Sequence, residues 1–127
     1  WLKVVPWGFR KLLNWIKDTY DNPEVLVTEN GFSDNEEDGI GLEDSGRENF
    51  YRLYINEMLK AVKLDGCNVT SYMAWSLLDN FEWLRGYSER FGAHWVNFTD
   101  PARPRQAKNS VKMLKKIFTD NGFIKDA

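Results

Sequence analysis

The sequence predicts an α/β fold built on parallel strands, and three observations carry that expectation. Helical periodicity occurs three times, with a short β-favouring run between successive helices. The first of those runs, Val25-Leu26-Val27-Thr28, shows no polar alternation, as expected of a strand covered on both faces. From that run to the next, strand, helix and strand occupy about 50 residues, enough for one right-handed βαβ unit.

Each element has a local reason. Pro6 sits near a first-turn position, and Phe9, Leu12, Leu13, Ile16 and Tyr20 follow at helical spacing. Asp21-Asn22-Pro23 ends that helix, because proline cannot donate to the helical ladder. After the first strand comes a long acidic connection over 29–44, opened by Asn30-Gly31. Ser45 and Glu48 have capping-box spacing, and Tyr51, Tyr54, Ile55, Met58 and Val62 form the apolar stripe of a second helix. Asp65-Gly66 fits its C-terminal end. Val69 to Trp75, rich in Thr, Tyr and Val, reads as the second strand. Residues 76–98 make a long excursion carrying Phe81, Trp83, Tyr87, Phe91, Trp95 and Phe98. Beyond Pro101 and Pro104 a third helix is expected to bury Ala107, Val111, Leu114, Ile117 and Phe118. Lys108, Lys112, Lys115 and Lys116 would face outward, and Asn121-Gly122 would close the helix.

Two parallel strands alone leave both sheet edges unpaired. A (β/α)8 barrel typically needs ~250 residues or more, so a chain of 127 reads as a piece of one, incomplete on its own. Composition narrows the function. With 17 Lys+Arg against 19 Asp+Glu the net charge is −2, which argues against nucleic-acid binding. No apolar run approaches the ~18 residues of a membrane span, so no membrane partner is expected. The single cysteine, Cys67, has no internal partner and is expected to be a buried free thiol. Six Trp, five Tyr and eight Phe make 15% of the chain, and some of those rings are expected to line a pocket.

Two segments carry chemistry. In Val25-Leu26-Val27-Thr28-Glu29-Asn30-Gly31 a buried strand ends in a carboxylate followed by a tight turn. In a barrel of parallel strands that end faces the active-site mouth, where rigid backbone holds a nucleophile. The competing reading, a β-hairpin at Asn-Gly, lacks a second alternating strand in Phe32 to Ser45. The other segment is Ala74-Trp75-Ser76-Leu77-Leu78-Asp79-Asn80-Phe81-Glu82-Trp83. Pyranose rings pack C–H patches on aromatic faces, and their hydroxyls need acceptors and donors. Trp75 would supply the face, Glu82 two acceptor oxygens and Trp83 an indole N–H. Against this stands the possibility that both tryptophans are core and Glu82 a solvated loop charge.

Together these segments resemble glycoside hydrolase family 1, the β-glucosidase family. Thr28-Glu29-Asn30-Gly31 matches its nucleophile motif; Ala74 to Trp83, with Gly86-Tyr87 and Arg90-Phe91-Gly92, matches its sugar-binding loop. Gly46-Arg47-Glu48-Asn49 and Asp65-Gly66-Cys67-Asn68 are most similar to insect members. The likeness implies that residues 1–127 are the C-terminal portion of one TIM barrel, from its sixth helix to its eighth, with the upstream strands absent from this chain. It implies a retaining β-glycosidase needing no cofactor and no metal, in which Glu29 is the nucleophile. Trp75 would be the stacking platform, Glu82 would bind the sugar's 4- and 6-hydroxyls, Trp83 would meet the 3-hydroxyl and Phe91 would close the pocket wall. The family's acid/base glutamate lies in an Asn-Glu-Pro motif that this sequence lacks. Retention requires two carboxyl groups ~5–5.5 Å apart, so the isolated chain is expected to be inert and its partner to be the N-terminal remainder of the same barrel. The carboxylate of Glu82 would repel a sugar phosphate, which favours unphosphorylated β-glycosides. The sequence departs from the family at Ala93-His94-Trp95-Val96-Asn97, where Leu-Val-Tyr-Val-Asp is common, and this bears on strand packing. A non-catalytic sugar-binding relative, or a structural fragment without activity, remains the alternative.

Other features are weaker. Asp34-Asn35-Glu36-Glu37-Asp38-Gly39 begins like a calcium loop but has Ser45 where the twelfth-position acid belongs. His94, the only histidine, is expected to be structural. The sequons Asn68-Val69-Thr70 and Asn97-Phe98-Thr99 are compatible with secretion, which is favoured over a cytoplasmic location, but do not fix it.

Overall fold

The computed structural model describes residues 2–35 and 41–123. In chain order the described elements are α1 (Pro6–Thr19), β1 (Val25–Asn30), β2 (Asp34–Asn35), α2 (Ser45–Lys63) and β3 (Val69–Ala74). A short 3-10 helix (Trp83–Arg85), β4 (Glu89–Arg90), β5 (His94–Val96), β6 (Arg105–Ala107) and α3 (Asn109–Asp120) follow. β1 and β3 pair in parallel with α2 as the crossover, which is the expected βαβ unit. Asn30-Gly31 therefore makes no hairpin. β2 pairs antiparallel with β4 instead, and β5 with β6.

The β1–β3 register is irregular in a way that matters for the site. Val27 lies opposite Tyr72 and Asn30 opposite Ala74, so three steps on β1 match two on β3. Thr28 and Glu29 together oppose Met73. Two residues against one is a β-bulge, a device that bends a strand and re-aims its side chains. Val27 is buried, whereas Thr28, Glu29 and Met73 are all exposed.

The core lies between α2, the β1–β3 pair and α3. Val27, Phe50, Tyr51, Ile55, Met58, Ala61, Leu114 and Ile117 are buried there, joined by Leu13 of α1 and by Cys67, a free thiol as expected. α1 is locked to α2 at Asp65, which accepts from Arg10 Nε (2.6 Å), Arg10 Nη2 (2.7 Å) and Asn14 Nδ2 (2.8 Å). Gly66, at φ +72°, makes the left-handed turn after the α2 end.

Three local expectations are corrected. The Ser45–Glu48 capping box is not formed. Asp44 takes the N-cap position of α2, and its carboxylate caps no main-chain N–H of that helix; it accepts from Ser110 N (2.8 Å), Ser110 Oγ (2.6 Å) and the Arg47 side chain at Nη1 (2.7 Å). Lys108 is not on a solvated face: it is 2% exposed, because it precedes α3 and turns inward to carboxylates. Ala107 and Phe118 are exposed rather than buried, since Ala107 belongs to β6 and the buried side of α3 is Ser110, Leu114 and Ile117. Of the acidic stretch that resembles a calcium loop, Glu36 to Gly39 lie outside the described residues.

Large apolar side chains stand on one open side of the molecule: Leu26 is 51% exposed, Met73 48% and Leu77 69%. Beside them an apolar groove of about 650 Å³ runs between β3 and α3, lined by Tyr72, Met73, Leu77, Leu114 and Phe118 among others. Of the first helix's periodic stripe read from the sequence, Leu12 (49%) and Tyr20 (60%) are exposed and Leu13 is buried, so only part of it is covered; Trp7 and Trp15, outside that stripe, are exposed too. Among the described residues no helix is long and apolar enough to cross a membrane.

Candidate active site

The parallel pairing puts the ends of β1 and β3 side by side. Trp75 N donates to Asn30 O (2.8 Å), and Tyr72 Oη donates to Asn30 Oδ1 (2.7 Å), so the residue after Glu29 is held from both main chain and side chain. Gly31 allows the next step. A Cβ there would lie 1.9 Å from Trp75 O and 2.8 Å from Trp75 C, so only glycine lets the chain after β1 pass this close to β3. Glu29 and Trp75 are thus on adjoining strand ends, each within one residue of the same hydrogen bond. Glu29 is exposed, Trp75 is 38% exposed, and the Trp75–Ser76 peptide is cis.

Burial in an apolar setting raises both tyrosine hydroxyls that support these strand ends. Tyr51 is pushed up to about 12, and Tyr72 well above its ordinary value of 10.0. Both stay protonated and act as donors. Tyr51 Oη donates to Trp75 O at 2.9 Å.

From Trp75 the chain runs as a loop laid against residues 91–94. Ser76 N donates to Phe91 O, Ala93 N to Ser76 O, His94 N to Leu77 O and Asp79 N to His94 O. Gly92 makes this fit possible, because a Cβ there would be 2.0 Å from Asp79 N. The His94 ring meets Leu77 O at 3.0 Å, the structural role expected of it. Glu82 stands at the N-cap of the 3-10 helix, half-buried, with its N–H donated to Gly86 O at 2.6 Å. Trp83 follows with φ +44°, the left-handed region that a bulky residue adopts only under constraint. It is 82% exposed. Phe91 lies beneath this loop, 7% exposed.

The structure therefore joins Glu29 to Trp75 through the strand ends, and Trp75 to Glu82 and Trp83 through one continuous loop. Among the described residues neither Glu29 nor Glu82 spends its carboxylate on a hydrogen bond or ion pair. Their oxygens remain available to a ligand. No cluster among the described residues is suited to hold a metal ion.

Sequence reasoning missed the polar layer beneath. Asp79 is completely buried and takes four partners: Arg90 Nη1 (2.9 Å), Gly92 N (2.9 Å), Lys108 Nζ (3.2 Å) and Val96 N (3.3 Å). Asp34 meets Arg47 Nη1 at 2.6 Å and Lys108 Nζ at 3.2 Å, and Arg47 donates on to Arg90 O at 2.6 Å. Burial alone would raise the Asp44 carboxyl in this layer, but hydrogen bonds from Ser110 and Arg47 outweigh it and lower its pKa. A carboxylate within the apolar run Leu77-Leu78-Asp79 was the available signal, since such a group stays ionised in a core only with partners.

Comparison with known proteins follows the same lines. The family model described as Glycosyl hydrolase family 1 matches residues 1–123. The cytosolic β-glucosidase of Homo sapiens is 52% identical over 123 residues, which are 97% of this chain and 26% of that protein. A GH1 β-glucosidase from the fungus Humicola insolens, solved in complex with glucose, superposes with a TM-score of 0.89 at 44% identity, covering 99% of this chain and 27% of the other. An aphid myrosinase gives a TM-score of 0.87 at 42% identity, covering 94% of this chain and 27% of the other. The chain spans about a quarter of the length of these proteins.

Proposed function

Because this chain belongs to glycosyl hydrolase family 1, as a partial piece of an α/β barrel, we propose that it supplies the nucleophile and part of the sugar subsite of a retaining β-glycosidase. The observation that carries the proposal is the bulge at Thr28-Glu29. It gives an accessible, unpaired carboxylate at the end of a parallel strand, adjoining the strand that leads through Trp75 to Glu82 and Trp83. In this reading the chain is the C-terminal part of the barrel, and its strands end at the mouth.

The chemistry follows from the residues. A Glu29 oxygen attacks the anomeric carbon as the glycosidic bond breaks, giving a covalent glycosyl-enzyme that water then hydrolyses with net retention. Trp75 offers an aromatic face to the sugar ring, Glu82 accepts from the 4- and 6-hydroxyls, and Trp83 Nε1 donates to the 3-hydroxyl. Phe91 forms the pocket wall from below, its burial leaving little surface to a ligand. A free carboxylate at Glu82 disfavours a 6-phosphorylated sugar, so the substrate class is unphosphorylated β-glycosides. The acid/base comes from the N-terminal remainder of the barrel, for which Leu26, Met73 and Leu77 and the free edges of the β1–β3 pair are the apolar docking face.

Treating the complete protein with a 2-deoxy-2-fluoro-β-glucoside tests the assignment. The sugar mass is expected on the peptide that contains Glu29. Labelling of another carboxylate overturns the nucleophile, and inversion of the product overturns the mechanism.

A further inference from the structure

We propose that Lys108 is a positioning residue of the sugar site, acting on the spacing between its two halves and not on the sugar. The inference rests on the roles given above to Glu29 and Glu82. Lys108 lies at the N-cap of α3, far in sequence from both, yet its ammonium is 3.2 Å from Asp79 Oδ1 and 3.2 Å from Asp34 Oδ2. Asp79 is three residues before Glu82, and Asp34 is five residues after Glu29. One buried cation therefore spans the loop that clamps hydroxyls and the segment that continues from the nucleophile.

Both carboxylates have further partners, Arg47 sharing Asp34 Oδ2 with Lys108 and Gly92 N sharing Asp79 Oδ1, while Arg90 takes Asp79 Oδ2. Asp79 is held by Arg90 and by Gly92 N, and Asp34 by Arg47, which is itself bound to Asp44 and to the carbonyls of Phe32 and Arg90. Three carboxylates thus face three cations in a layer that is buried at Asp44, Asp79, Arg47, Arg90 and Lys108 and reaches solvent at Asp34. An apolar pair in place of Lys108 would fill the volume but leave the separation free. An ammonium between two anchored carboxylates sets two short distances at once, and since a buried ion pair adds little net stability over an apolar replacement, positioning is the role this geometry supports. Hydroxyl recognition by Glu82 tolerates an error of only about 0.5 Å, so loss of the bridge should appear as loss of sugar discrimination.

The test uses the complete protein and compares kcat/KM for p-nitrophenyl β-glucoside with that for the β-xyloside, which lacks the 6-hydroxymethyl group. Their ratio does not depend on the fraction of enzyme that is folded, so a merely structural role leaves it unchanged. In Lys108→Met the glucoside-to-xyloside ratio is expected to fall about tenfold, mainly through KM for the glucoside. Asp34→Asn removes one end of the bridge while Arg47 keeps Asp44, and it should move the ratio the same way; it decides the matter if Lys108→Met does not fold. A wild-type ratio in the deciding variant overturns the proposal. Glu82→Ala is measured alongside. If it too keeps the wild-type ratio, the role of Glu82 is wrong; if it lowers the ratio while the deciding variant does not, only the role of Lys108 is lost.

Discussion

The hydroxyl of Tyr51 donates a 2.9 Å hydrogen bond to the main-chain carbonyl of Trp75, so a residue of α2 fixes the point where β3 gives way to the loop that carries Glu82 and Trp83. Tyr51 is completely buried. Tyr51→Phe removes the donor and leaves the carbonyl to find another. It is expected to cost the complete protein about 1 kcal/mol in denaturant unfolding, together with a loss of kcat/KM as Trp75 shifts. Unchanged values of both would show that the bond holds nothing in place.

The same hydroxyl makes stability sensitive to alkali. Its folded pKa, about 12, lies above the ordinary 10.0 because burial penalises the phenolate. A raised folded value means that the stabilising contribution is fully present below pH 10 and lost as pH rises through about 12. The difference in unfolding free energy between wild type and Tyr51→Phe should shrink across that window. A constant difference would contradict the burial of a protonated phenol.

Asp65 gives the opposite dependence. The Arg10 guanidinium, with Asn14, holds its carboxyl well below the ordinary 3.8. A depressed folded value contributes stability above the unfolded pKa and loses it as pH falls toward the folded one. Asp65→Asn should therefore destabilise at neutral pH and progressively less below pH 3.8. The α1–α2 contact is the region where hydrogen exchange should report it.

Gly31→Ala should be severe. Its Cβ would meet backbone atoms of Trp75 at 1.9 and 2.8 Å, and main chain cannot rotate aside as a side chain can. A loss of about 3 kcal/mol or more is expected, from overpacking at a point where two strand ends are pinned. Gly66→Ala, with nothing within 4 Å of the new Cβ, should cost only the left-handed backbone, about 1–2 kcal/mol. Equal effects at the two sites would remove close approach as the reason for Gly31.

If Glu29 is the nucleophile proposed above, Glu29→Gln in the complete protein should lower turnover by about 10⁴ or more while leaving sugar binding, because the amide keeps the shape and loses the attacking carboxylate. Calorimetry with the free sugar and steady-state hydrolysis together separate the two.

Much of this was readable in advance, for physical reasons that differ by element. β1 and α1 announce themselves because Val25-Leu26-Val27 and the Phe9–Ile16 spacing express burial directly. The candidate site residues stand in motifs that include Gly31 and Gly92, where close approach to Trp75 and Asp79 leaves no room for a Cβ. What could not be read depends on distant chain. Lys108 sits among Lys112, Lys115 and Lys116 at the start of a helix and shares their composition, yet it faces Asp79 and Asp34, 29 and 74 residues away. Ser45 is not the cap because it is already the first helical residue, with Asp44 at the N-cap and its carboxylate bound to Ser110, 66 residues away. The bulge at Thr28-Glu29 is invisible for the same reason, since only pairing with β3 reveals a surplus residue.

That surplus sets a condition on any attempt to graft Thr-Glu-Asn-Gly into a host scaffold. In a strand of matched length, every second side chain would turn back toward the helices, and an acidic group would fall on whichever side the count dictated. Here the mismatch coincides with two consecutive positions, Thr28 and Glu29, that are both exposed after buried Val27. A transplant that copied the four letters without the unequal lengths of the two strands would carry the spelling of the motif and misdirect its carboxylate.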